Sequence, residues 1–427
     1  MSIYRVRDPI HGFIYFTKEE KIVIDWPEFQ RLRNIRQLAL TSFVYPGAMH
    51  SRFEHSLGVM EIASKIFERI YRKKPDLIKN SLEKAGLTID QGRNILRLSA
   101  LLHDIGHLPF SHGGEAILPP GVKHEDVSVA IINNLKDRID KLYFKCASEV
   151  VIQLIKGDVI PELKFLKDIL SGQVDADRMD YLLRDSLHCG VDYGYFDYRR
   201  LIEELNIYQD ITDGIELSID RGGIHSLEAL ILARYYMFTQ VYCHRTRRIY
   251  DIYLKNFMSK WNLDLTSLIN TLTIDDIDLM NEIRVTLRAK EQGGEIDELK
   301  FYWAYRICNR IHHSVIYETS DFADAEQRRK ATGIYKKLEE NHPEFNFILD
   351  MDAKGSIHKF FVRGEDEEGI EFYVLHKYGK DLVTDESKII AGMKKNFHVV
   401  RIYVDTKDPS IQKSLRDKAL DYYREVR

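Results

Sequence analysis

The sequence predicts a mostly α-helical protein that ends in a smaller α+β region. Apolar residues recur with helical spacing in segments between Lys18 and about Glu340. Alternation typical of strands is concentrated after residue 341. A chain of 427 residues is also longer than a domain with a single hydrophobic core usually is. We therefore expect a large domain over residues 1–340, with an N-terminal strand pair and a helical body, and an α+β region over residues 341–427.

The first half of the chain predicts the strand pair and most of the helical body. Residues 3–16 predict two strands around a turn at Asp8 to Gly12. Helices follow from Lys18, and Pro27 suits the first turn of one of them. The apolar stripe of the clearest helix consists of Val59, Ile62, Ala63, Ile66 and Ile70. Further helices are predicted to end at His103-Asp104 and to cover Val127 to Leu135 and Ser148 to Ile155.

The second half predicts more varied structure. A hairpin is expected over Leu205 to Asp220, turning at Asp213-Gly214, and one long helix over Ser226 to Phe257. Helices are then expected to continue to about Glu340. The predicted strands are Phe345 to Met351, His358 to Val362, Ile370 to Leu375 and Val399 to Val404, with a hairpin connection at Arg363 to Gly369 and a final helix at Ser410 to Tyr423.

Composition limits the classes of function. The chain is 44% hydrophobic and 30% charged, which is typical of a globular protein. A formal net charge of -4 argues against bulk attraction to nucleic acid or anionic membranes. The cysteines at positions 146, 189, 243 and 308 form no CxxC pair, and no apolar run approaches the roughly 20 residues of a membrane span. We expect a cytoplasmic protein with reduced thiols.

Candidate metal ligands come from three separated places, namely His55, the His103-Asp104 pair and Asp177. Imidazole and carboxylate groups together suit a divalent cation such as Mn, Fe, Mg, Zn or Ni, whereas Cu(I) and iron–sulfur clusters prefer thiolates. Each residue alone is also compatible with an inert role, because histidines cap helix ends and aspartates face solvent. Spacing alone does not join the three places.

Five blocks of sequence carry a family resemblance. They are Asp8 to Gly12, Phe29 to Arg33, Arg52 to Gly58, His103 to His112 and Asp175 to Asp185. Within them, His55, His103-Asp104 and Asp177 match the H…HD…D pattern of HD-domain metal-dependent phosphohydrolases. The blocks resemble, in order and spacing, the SAM-and-HD-domain dNTP triphosphohydrolases over roughly residues 4–250. The resemblance implies a helical HD-domain bundle of the bacterial type, without a SAM domain.

The resemblance also implies chemistry. The family hydrolyses a dNTP to a deoxynucleoside and tripolyphosphate with a divalent metal. The implied metal ligands are His55, His103, Asp104 and Asp177. His124 matches the family's catalytic histidine, and His107 and His112 match the pair that lines the phosphates. Histidine suits proton exchange because its pKa of roughly 6.5 lies near neutrality.

Substrate contacts are implied on the same basis. The implied substrate-binding residues are Gln37, Leu38, Arg52, Arg178, Tyr181, Asp185, Arg234 and Tyr242. In the family the cations contact the triphosphate, whereas the residues that match Tyr181 and Asp185 crowd the sugar, which is how such a site rejects a ribose hydroxyl. Phe238 departs from the pattern, because vertebrate members carry a histidine there. This departure affects the expected base preference but not the metal chemistry.

The resemblance further implies a homo-oligomer, a dimer or a tetramer, that is activated by GTP, dGTP or a dNTP. The matching residues are Arg5, Val6, Asp25, Gln30 and Arg33. They are also compatible with a surface ion-pair set on an early helix. Two other functions remain open: an HD-type phosphatase or phosphodiesterase that releases monophosphate, and a regulator that binds nucleotide or nucleic acid, for example through Arg245 to Arg248.

Overall fold

A computed structural model describes residues 4–209, 214–263, 267–363 and 369–425. It confirms a mostly α-helical protein with smaller sheets. The helices are α1 (Lys18–Ile24), α2 (Pro27–Gln30), α3 (Arg52–Lys73), α4 (Pro75–Lys84), α5 (Ile89–Leu102), α6 (His124–Asn134), α7 (Lys136–Leu142), α8 (Ala147–Lys156), α9 (Lys164–Leu170), α10 (Ala176–Cys189), α11 (Tyr198–Glu204), α12 (Ile224–Met237), α13 (Arg245–Met258), α14 (Asp276–Glu291), α15 (Glu298–Cys308), α16 (Ala325–Asn341), α17 (Val383–Glu386), α18 (Lys388–Gly392) and α19 (Pro409–Glu425). The strands are β1 (Tyr4–Asp8), β2 (Gly12–Phe16), β3 (Leu205–Gln209), β4 (Ile215–Asp220), β5 (Ser314–Glu318), β6 (Phe347–Ser356), β7 (Tyr373–His376), β8 (Gly379–Leu382) and β9 (Asn396–Val404).

The chain divides into two compact units. The first consists of Met1–Arg234, Asn262–Leu279 and Lys359–Met393. The second consists of Tyr235–Trp261, Met280–His358 and Lys394–Arg427. The domain division after residue 340 stays a prediction. Among the described residues, no helix combines the length and the apolarity that a bilayer span requires.

The first unit holds the helices that form the candidate site. The predicted strand pair is confirmed, because β1 and β2 form an antiparallel hairpin in which Asp8 pairs with Gly12. The helix α3 packs against α5 and α10. Its predicted stripe of Val59, Ile62, Ala63, Ile66 and Ile70 is fully buried. A four-stranded sheet in the order β3-β4-β7-β8 completes the unit, with β4 and β7 parallel.

The second unit is built on an antiparallel sheet in the order β5-β9-β6. The helices α16 and α19 pack against each other beside this sheet. Their apolar faces and the sheet share one core, which consists of Ile316, Ile334, Leu338, Phe347, Ile402, Val404, Leu415 and Ala419. The final helix was predicted over Ser410 to Tyr423 and is observed as α19.

The predicted continuous helix over Ser226 to Phe257 is wrong. The helix α12 ends at Met237, a π-helical turn covers Phe238–Tyr242, and α13 begins at Arg245. In this turn the backbone N–H of Cys243 donates to the carbonyl of Phe238 at 2.9 Å, which is the i→i+5 spacing of a π-turn. Apolar periodicity does not distinguish this wider turn from an ordinary helical one.

Other boundaries also differ from the prediction. The expected run of helices to about Glu340 is interrupted by β5, which pairs with β9. Residues 358–362 form no strand, and Phe360 makes only an isolated bridge to Ile370. The strand β7 begins at Tyr373, later than expected. Residue 213 of the expected hairpin turn and residues 364–368 of the expected connection lie outside the described residues.

Candidate metal centre

His55 lies in the first turn of α3, which begins with a reciprocal cap. The N-cap residue Ser51 and the third helical residue Glu54 form a capping box, in which the backbone N–H of Ser51 donates to the Glu54 carboxylate at 2.8 Å. Such a box fixes where a helix starts. It therefore also fixes the direction in which His55 leaves the helix.

The other three predicted ligands lie at the ends of two further helices. His103 is the C-cap residue of α5, and Asp104 follows it. Asp177 lies in the first turn of α10, whose N-cap residue Asp175 accepts a hydrogen bond from the backbone N–H of Arg178 at 2.7 Å. Because α3 packs against both α5 and α10, the three helix ends meet.

These four side chains converge on one point. His55 Nε2 lies 3.1 Å from Asp177 Oδ1 and 3.5 Å from Asp104 Oδ2. His103 Nε2 lies 3.4 Å from Asp104 Oδ1 and 3.9 Å from Asp177 Oδ1. Residues that are 122 positions apart in the chain, His55 and Asp177, are thus in contact.

The donor set fits a divalent cation. Both His55 Nε2 and His103 Nε2 are buried, and within the described ranges neither makes a hydrogen bond of regular geometry, although His55 Nε2 lies close to the Asp177 carboxylate. One ligand atom from each of His55, His103 and Asp177 lies within 4.8 Å of the other two. Buried polar atoms normally find partners, so two imidazole nitrogens that lack a regular hydrogen bond and lie beside carboxylates indicate a cation site. Its ligands would be these three residues and Asp104.

A buried arginine neutralises part of this negative charge. Arg52 Nη1 lies 2.6 Å from Asp104 Oδ2, and Arg52 Nε donates to Ser111 Oγ at 2.9 Å. Burial alone would raise the pKa of Asp104. The guanidinium of Arg52 and the contacts with His103 and His107 outweigh burial and hold that pKa well below its ordinary value. Asp104 is therefore ionised, as a metal ligand must be.

The imidazole of His55 lies between two carboxylates. Burial opposes its charged form, but Asp177 and Asp180 outweigh burial and raise the pKa of His55 to about 10. The metal-free protein therefore favours a protonated His55. Because an imidazole must be neutral at the ligating nitrogen, metal binding is expected to release this proton.

Three histidines and a glutamate form a second group beside the ligands. The rings of His107 and His124 stack with centroids 4.0 Å apart, and His112 lies 5.2 Å and 5.3 Å from them. Glu115 Oε1 lies 2.9 Å from His112 Nδ1 and 2.7 Å from His124 Nδ1. His107 Nε2 is 3.2 Å from Asp104 Oδ1, which connects this group to the metal ligands.

The stacked histidines differ in pKa. Burial lowers the pKa of His107 well below its ordinary value, and the charges of Arg52 and His124 add to this effect. Burial also opposes charge on His124, but Glu115 and other nearby acids raise its pKa. His124 is thus the better proton carrier near neutrality. Sequence analysis did not find Glu115, although an acid among three histidines was the available signal.

The loop that carries these histidines has an unusual backbone. Phe110 and Ser111 both have positive φ angles, 58° and 56°, although neither is glycine. Asp276 holds this turn, because its Oδ1 accepts from the backbone N–H of Phe110 at 2.6 Å and its Oδ2 accepts from that of Arg36 at 3.0 Å. Burial raises the pKa of Asp276 to about 7. Strained non-glycine residues of this kind cluster at functional sites.

Two predicted triphosphate contacts lie in the same unit. Arg234 is buried and interacts electrostatically with the half-buried Tyr181, and burial lowers the pKa of Arg234. Arg178 Nη1 donates to the carbonyl of Gln173 at 2.9 Å. Arg178 follows the candidate metal ligand Asp177 directly, so both are fixed by the same first turn of α10.

The predicted sugar contacts share a histidine that sequence analysis missed. Asp185 Oδ1 lies 2.7 Å from His50 Nε2, and the His50 ring stacks on His188 with centroids 4.4 Å apart. The backbone N–H of Gln37 donates to the carbonyl of His50 at 3.0 Å, and Leu38 is buried beside it in the chain. The structure thus brings Gln37, His50 and Asp185 together. No local pattern in the sequence indicates this contact.

Tyr242 belongs to the second unit. It ends the π-helical turn, where its ring lies edge-on to that of Phe238 with centroids 5.4 Å apart. Its predicted contact with substrate stays a prediction.

The predicted nucleotide-reading residues contact one another and nearby aromatic rings. Arg33 Nε donates to Gln30 Oε1 at 2.7 Å, and the Arg33 guanidinium lies 3.5 Å above the centre of the Phe53 ring. Asp25 pairs with Lys21. Arg5 and Val6 lie on β1, with the Arg5 guanidinium over the Phe13 ring. Their predicted role stays a prediction.

Known proteins resemble this chain in both sequence and fold. Residues 52–185 match the HD domain, and residues 196–343 match the HD associated region. The chain is 40% identical to an uncharacterized protein of Methanocaldococcus jannaschii, over 66% of this chain and 55% of that protein. It is 34% identical to the deoxynucleoside triphosphate triphosphohydrolase SAMHD1 homolog of Dictyostelium discoideum, over 56% of this chain and 46% of that protein. The chain therefore spans about half the length of these two relatives.

A solved structure agrees over nearly the whole chain. The crystal structure of a hypothetical protein from Aquifex aeolicus has a TM-score of 0.77 and 30% identity, and the match covers 98% of this chain and 100% of that one. A helical bundle that gathers two histidines and two aspartates is typical of a metal-dependent hydrolase. This chain belongs to the HD-domain phosphohydrolases, whose HD domain depends on a divalent metal.

Proposed function

We propose that this chain is a dNTP triphosphohydrolase that converts a dNTP and water to a deoxynucleoside and tripolyphosphate. One observation supports this proposal above the others. The histidine group of His107, His112 and His124 lies directly beside the candidate metal ligands, with His107 Nε2 3.2 Å from Asp104 Oδ1. A phosphate bound to the cation would therefore lie next to histidines that can donate a proton. The relative from Dictyostelium discoideum carries this activity in its name.

The reaction breaks the bond between the α-phosphorus and O5′. Water attacks the phosphorus and gives up one proton to solvent, the bonding electron pair stays on O5′, and O5′ takes up a proton to give the deoxynucleoside. His55, His103, Asp104 and Asp177 would hold a divalent cation, which would supply positive charge against the charge that develops on the phosphate. His124 donates the proton, because its pKa is raised and Glu115 orients its ring.

The remaining predicted residues bind the substrate in this proposal. Arg52, Arg178 and Arg234 neutralise the triphosphate. Tyr181 and Asp185 surround the sugar together with Gln37 and Leu38. Because Asp185 is fixed by His50, the sugar side would be rigid enough to reject an additional hydroxyl at C2′.

Product analysis tests this proposal. The protein is stripped of metal, reloaded with Mn or Mg and incubated with each dNTP, and the products are resolved by ion chromatography. Tripolyphosphate and a deoxynucleoside in equal amounts are expected. Release of phosphate or of a nucleoside monophosphate would instead indicate an HD-type phosphatase or phosphodiesterase. A variant with His124→Asn should lose turnover, whereas His225→Asn, at a fully surface-exposed histidine, should not.

The assembly and regulation of the enzyme are part of the same proposal. We infer a cytoplasmic homo-oligomer, a dimer or a tetramer, that a guanine nucleotide or a dNTP activates through Arg5, Val6, Asp25, Gln30 and Arg33. The supporting observation is that Gln30 and Arg33 already form a pair on a surface turn, where a base could contact both.

A further inference from the structure

The carboxylate of Asp180 lies behind the candidate metal ligand His55. It receives four contacts: His55 Nδ1 and Arg184 Nε each lie 2.8 Å from Oδ2, His11 Nε2 lies 2.7 Å from Oδ1, and Arg184 Nη2 lies 3.0 Å from Oδ1. All four side chains are completely buried. Asp180 is one turn along α10 from Asp177, so one helix carries a candidate ligand and this carboxylate.

These contacts fix where the histidine hydrogens lie. An ionised carboxylate only accepts hydrogen bonds, and a guanidinium only donates them. Nδ1 of His55 must therefore carry a hydrogen, so the neutral, metal-binding form of the ring has its lone pair on Nε2. That nitrogen is the one that faces Asp104 and Asp177. Carboxylates that accept from the second ring nitrogen of a ligating histidine orient the ring and raise its basicity.

The N-terminal hairpin holds Asp180 and Arg184 in place. Asp8 Oδ2 accepts from Arg184 Nη1 at 2.9 Å. Its other oxygen, Oδ1, accepts from the backbone N–H groups of Ile10 and His11 at 2.8 Å and 2.9 Å, which shapes the turn that carries His11. The turn between β1 and β2 is thus fastened to α10 by an ion pair and by a histidine.

A glycine makes room for this arrangement. Gly58 lies one turn after His55 on α3, and a Cβ atom at this position would lie 1.9 Å from Asp180 Oδ1 and 2.5 Å from Arg184 Nη2. Both distances are far below van der Waals contact, so any side chain would displace the carboxylate. The helix α3 therefore approaches the Asp180 carboxylate and the Arg184 guanidinium closely at Gly58.

We propose that Asp180 is a positioning residue that holds His55 in its metal-binding tautomer and orientation, and that His11 and Asp8 of the hairpin turn keep Asp180 in place. The proposal deepens the proposed function and rests on the metal-binding role of His55. It makes metal affinity depend on residues of the N-terminal hairpin that are not themselves candidate ligands.

The decisive variants are Asp180→Asn and His11→Asn. The first removes the charge of Asp180 but keeps its shape, and the second removes the ring that donates to Oδ1. Each protein is stripped of metal and titrated with Mn²⁺ or Zn²⁺, and the bound metal is measured by elemental analysis. Asp180→Asn is expected to weaken metal binding roughly 10- to 100-fold, as the loss of such partners typically does. His11→Asn is expected to weaken it a few-fold.

A control and a spectroscopic measurement separate positioning from a loss of folding. Asp168→Asn alters a carboxylate outside this network and should leave the metal affinity unchanged. Nitrogen-15 NMR of histidine-labelled protein should show a single Nδ1–H tautomer for metal-loaded His55, and a mixture or the opposite tautomer in Asp180→Asn. Circular dichroism establishes whether each variant folds.

The possible outcomes are distinct. A folded Asp180→Asn protein with unchanged metal affinity and an unchanged His55 tautomer would overturn the proposal. If Asp180→Asn does not fold, His11→Asn decides, and unchanged affinity in that variant overturns it. Because these measurements involve no hydrolysis, a failure of the proposed dNTP reaction leaves them interpretable. Retention of metal by a His103→Ala/Asp104→Ala variant would instead contradict the metal-site assignment itself.

Discussion

His124 Nδ1 and Glu115 Oε1 lie 2.7 Å apart, and this contact determines how the histidine group can act. Burial would make His124 a weaker base, but the carboxylate outweighs burial and raises its pKa. Because Nδ1 is engaged by Glu115, the other ring nitrogen is the atom available to a substrate. Glu115 therefore orients the ring of the proposed proton donor and, with Asp104 and Glu125, favours its charged form.

Glu115→Gln should change how kcat depends on pH. The change removes the negative charge that favours protonated His124, so the pKa of His124 falls. If His124 donates a proton, the alkaline limb of the kcat profile moves to lower pH, by roughly one unit. Glu125→Gln is the control, because that carboxylate is also near His124 Nδ1 but more distant, at 3.3 Å. A profile that Glu115→Gln leaves unchanged would argue against His124 as the donor.

The same pair predicts a pH-dependent stability. The folded-state pKa of His124 is raised above its unfolded value, so the pair stabilises the native state fully below the unfolded pKa of roughly 6.5. This stabilisation is lost as the pH rises through the raised folded pKa. The Tm difference between the wild-type protein and Glu115→Gln should be largest near pH 6 and shrink at alkaline pH. Calorimetry across this range measures it, and a constant difference would contradict the assignment.

Sequence alone predicts the elements whose apolar residues recur with the period of a helix or a strand. The apolar stripe from Val59 to Ile70 predicts α3 because helical packing requires that spacing. The separated motifs around His55, His103 and Asp177 predict a common site only through family resemblance. Where an element depends on pairing with a segment distant in the chain, the local sequence pattern does not predict it. The strand β5 exists because β9, more than 75 residues later, pairs with it.

The residues that support the site were missed for the same reason. The contact of His50 with Asp185 joins positions 135 apart, and that of His11 with Asp180 joins positions 169 apart. His50 stands in no metal-ligand or catalytic pattern. His11 lies in the block Asp8 to Gly12, which carries part of the family resemblance but implied no role for this histidine. The π-helical turn at Phe238–Tyr242 was missed because one additional residue per turn leaves the surrounding apolar periodicity intact.

Removal of the central pair should abolish the metal site. In His103→Ala/Asp104→Ala two of the four candidate ligands are lost, and the remaining His55 and Asp177 cannot retain a divalent cation against chelator. We expect metal content and dNTP hydrolysis to disappear together, as measured by elemental analysis and by product formation. Circular dichroism checks the fold, since Arg52 loses its partner Asp104. Full turnover in this variant would refute the site.

His50 should control recognition of the sugar. His50→Asn shortens the side chain so that it no longer reaches Asp185, which frees the carboxylate to move. We expect the KM for a dNTP to rise roughly tenfold, equivalent to about 1.4 kcal/mol or one hydrogen bond, with a smaller change in kcat. The preference for deoxyribose over ribose should fall as well. His188→Asn, which alters the ring stacked on His50, is the control and should change KM less.

Nucleotide activation should depend on the Gln30–Arg33 pair. Hydrolysis of one dNTP is measured with and without GTP or dGTP, and sedimentation velocity reports the oligomer. We expect stimulation and a larger assembly in the wild-type protein, and loss of both in Arg33→Ala. The reason is that the Arg33 guanidinium, which lies over the Phe53 ring and donates to Gln30 Oε1, is one of the two groups that the proposed base would contact. Arg93→Ala is the matched control, since Arg93 also lies over a phenylalanine ring, that of Phe67, but outside the predicted nucleotide residues. If GTP and dGTP leave wild-type hydrolysis unchanged, the proposed regulation is wrong. The proposed metal chemistry would be unaffected, because it uses none of these residues.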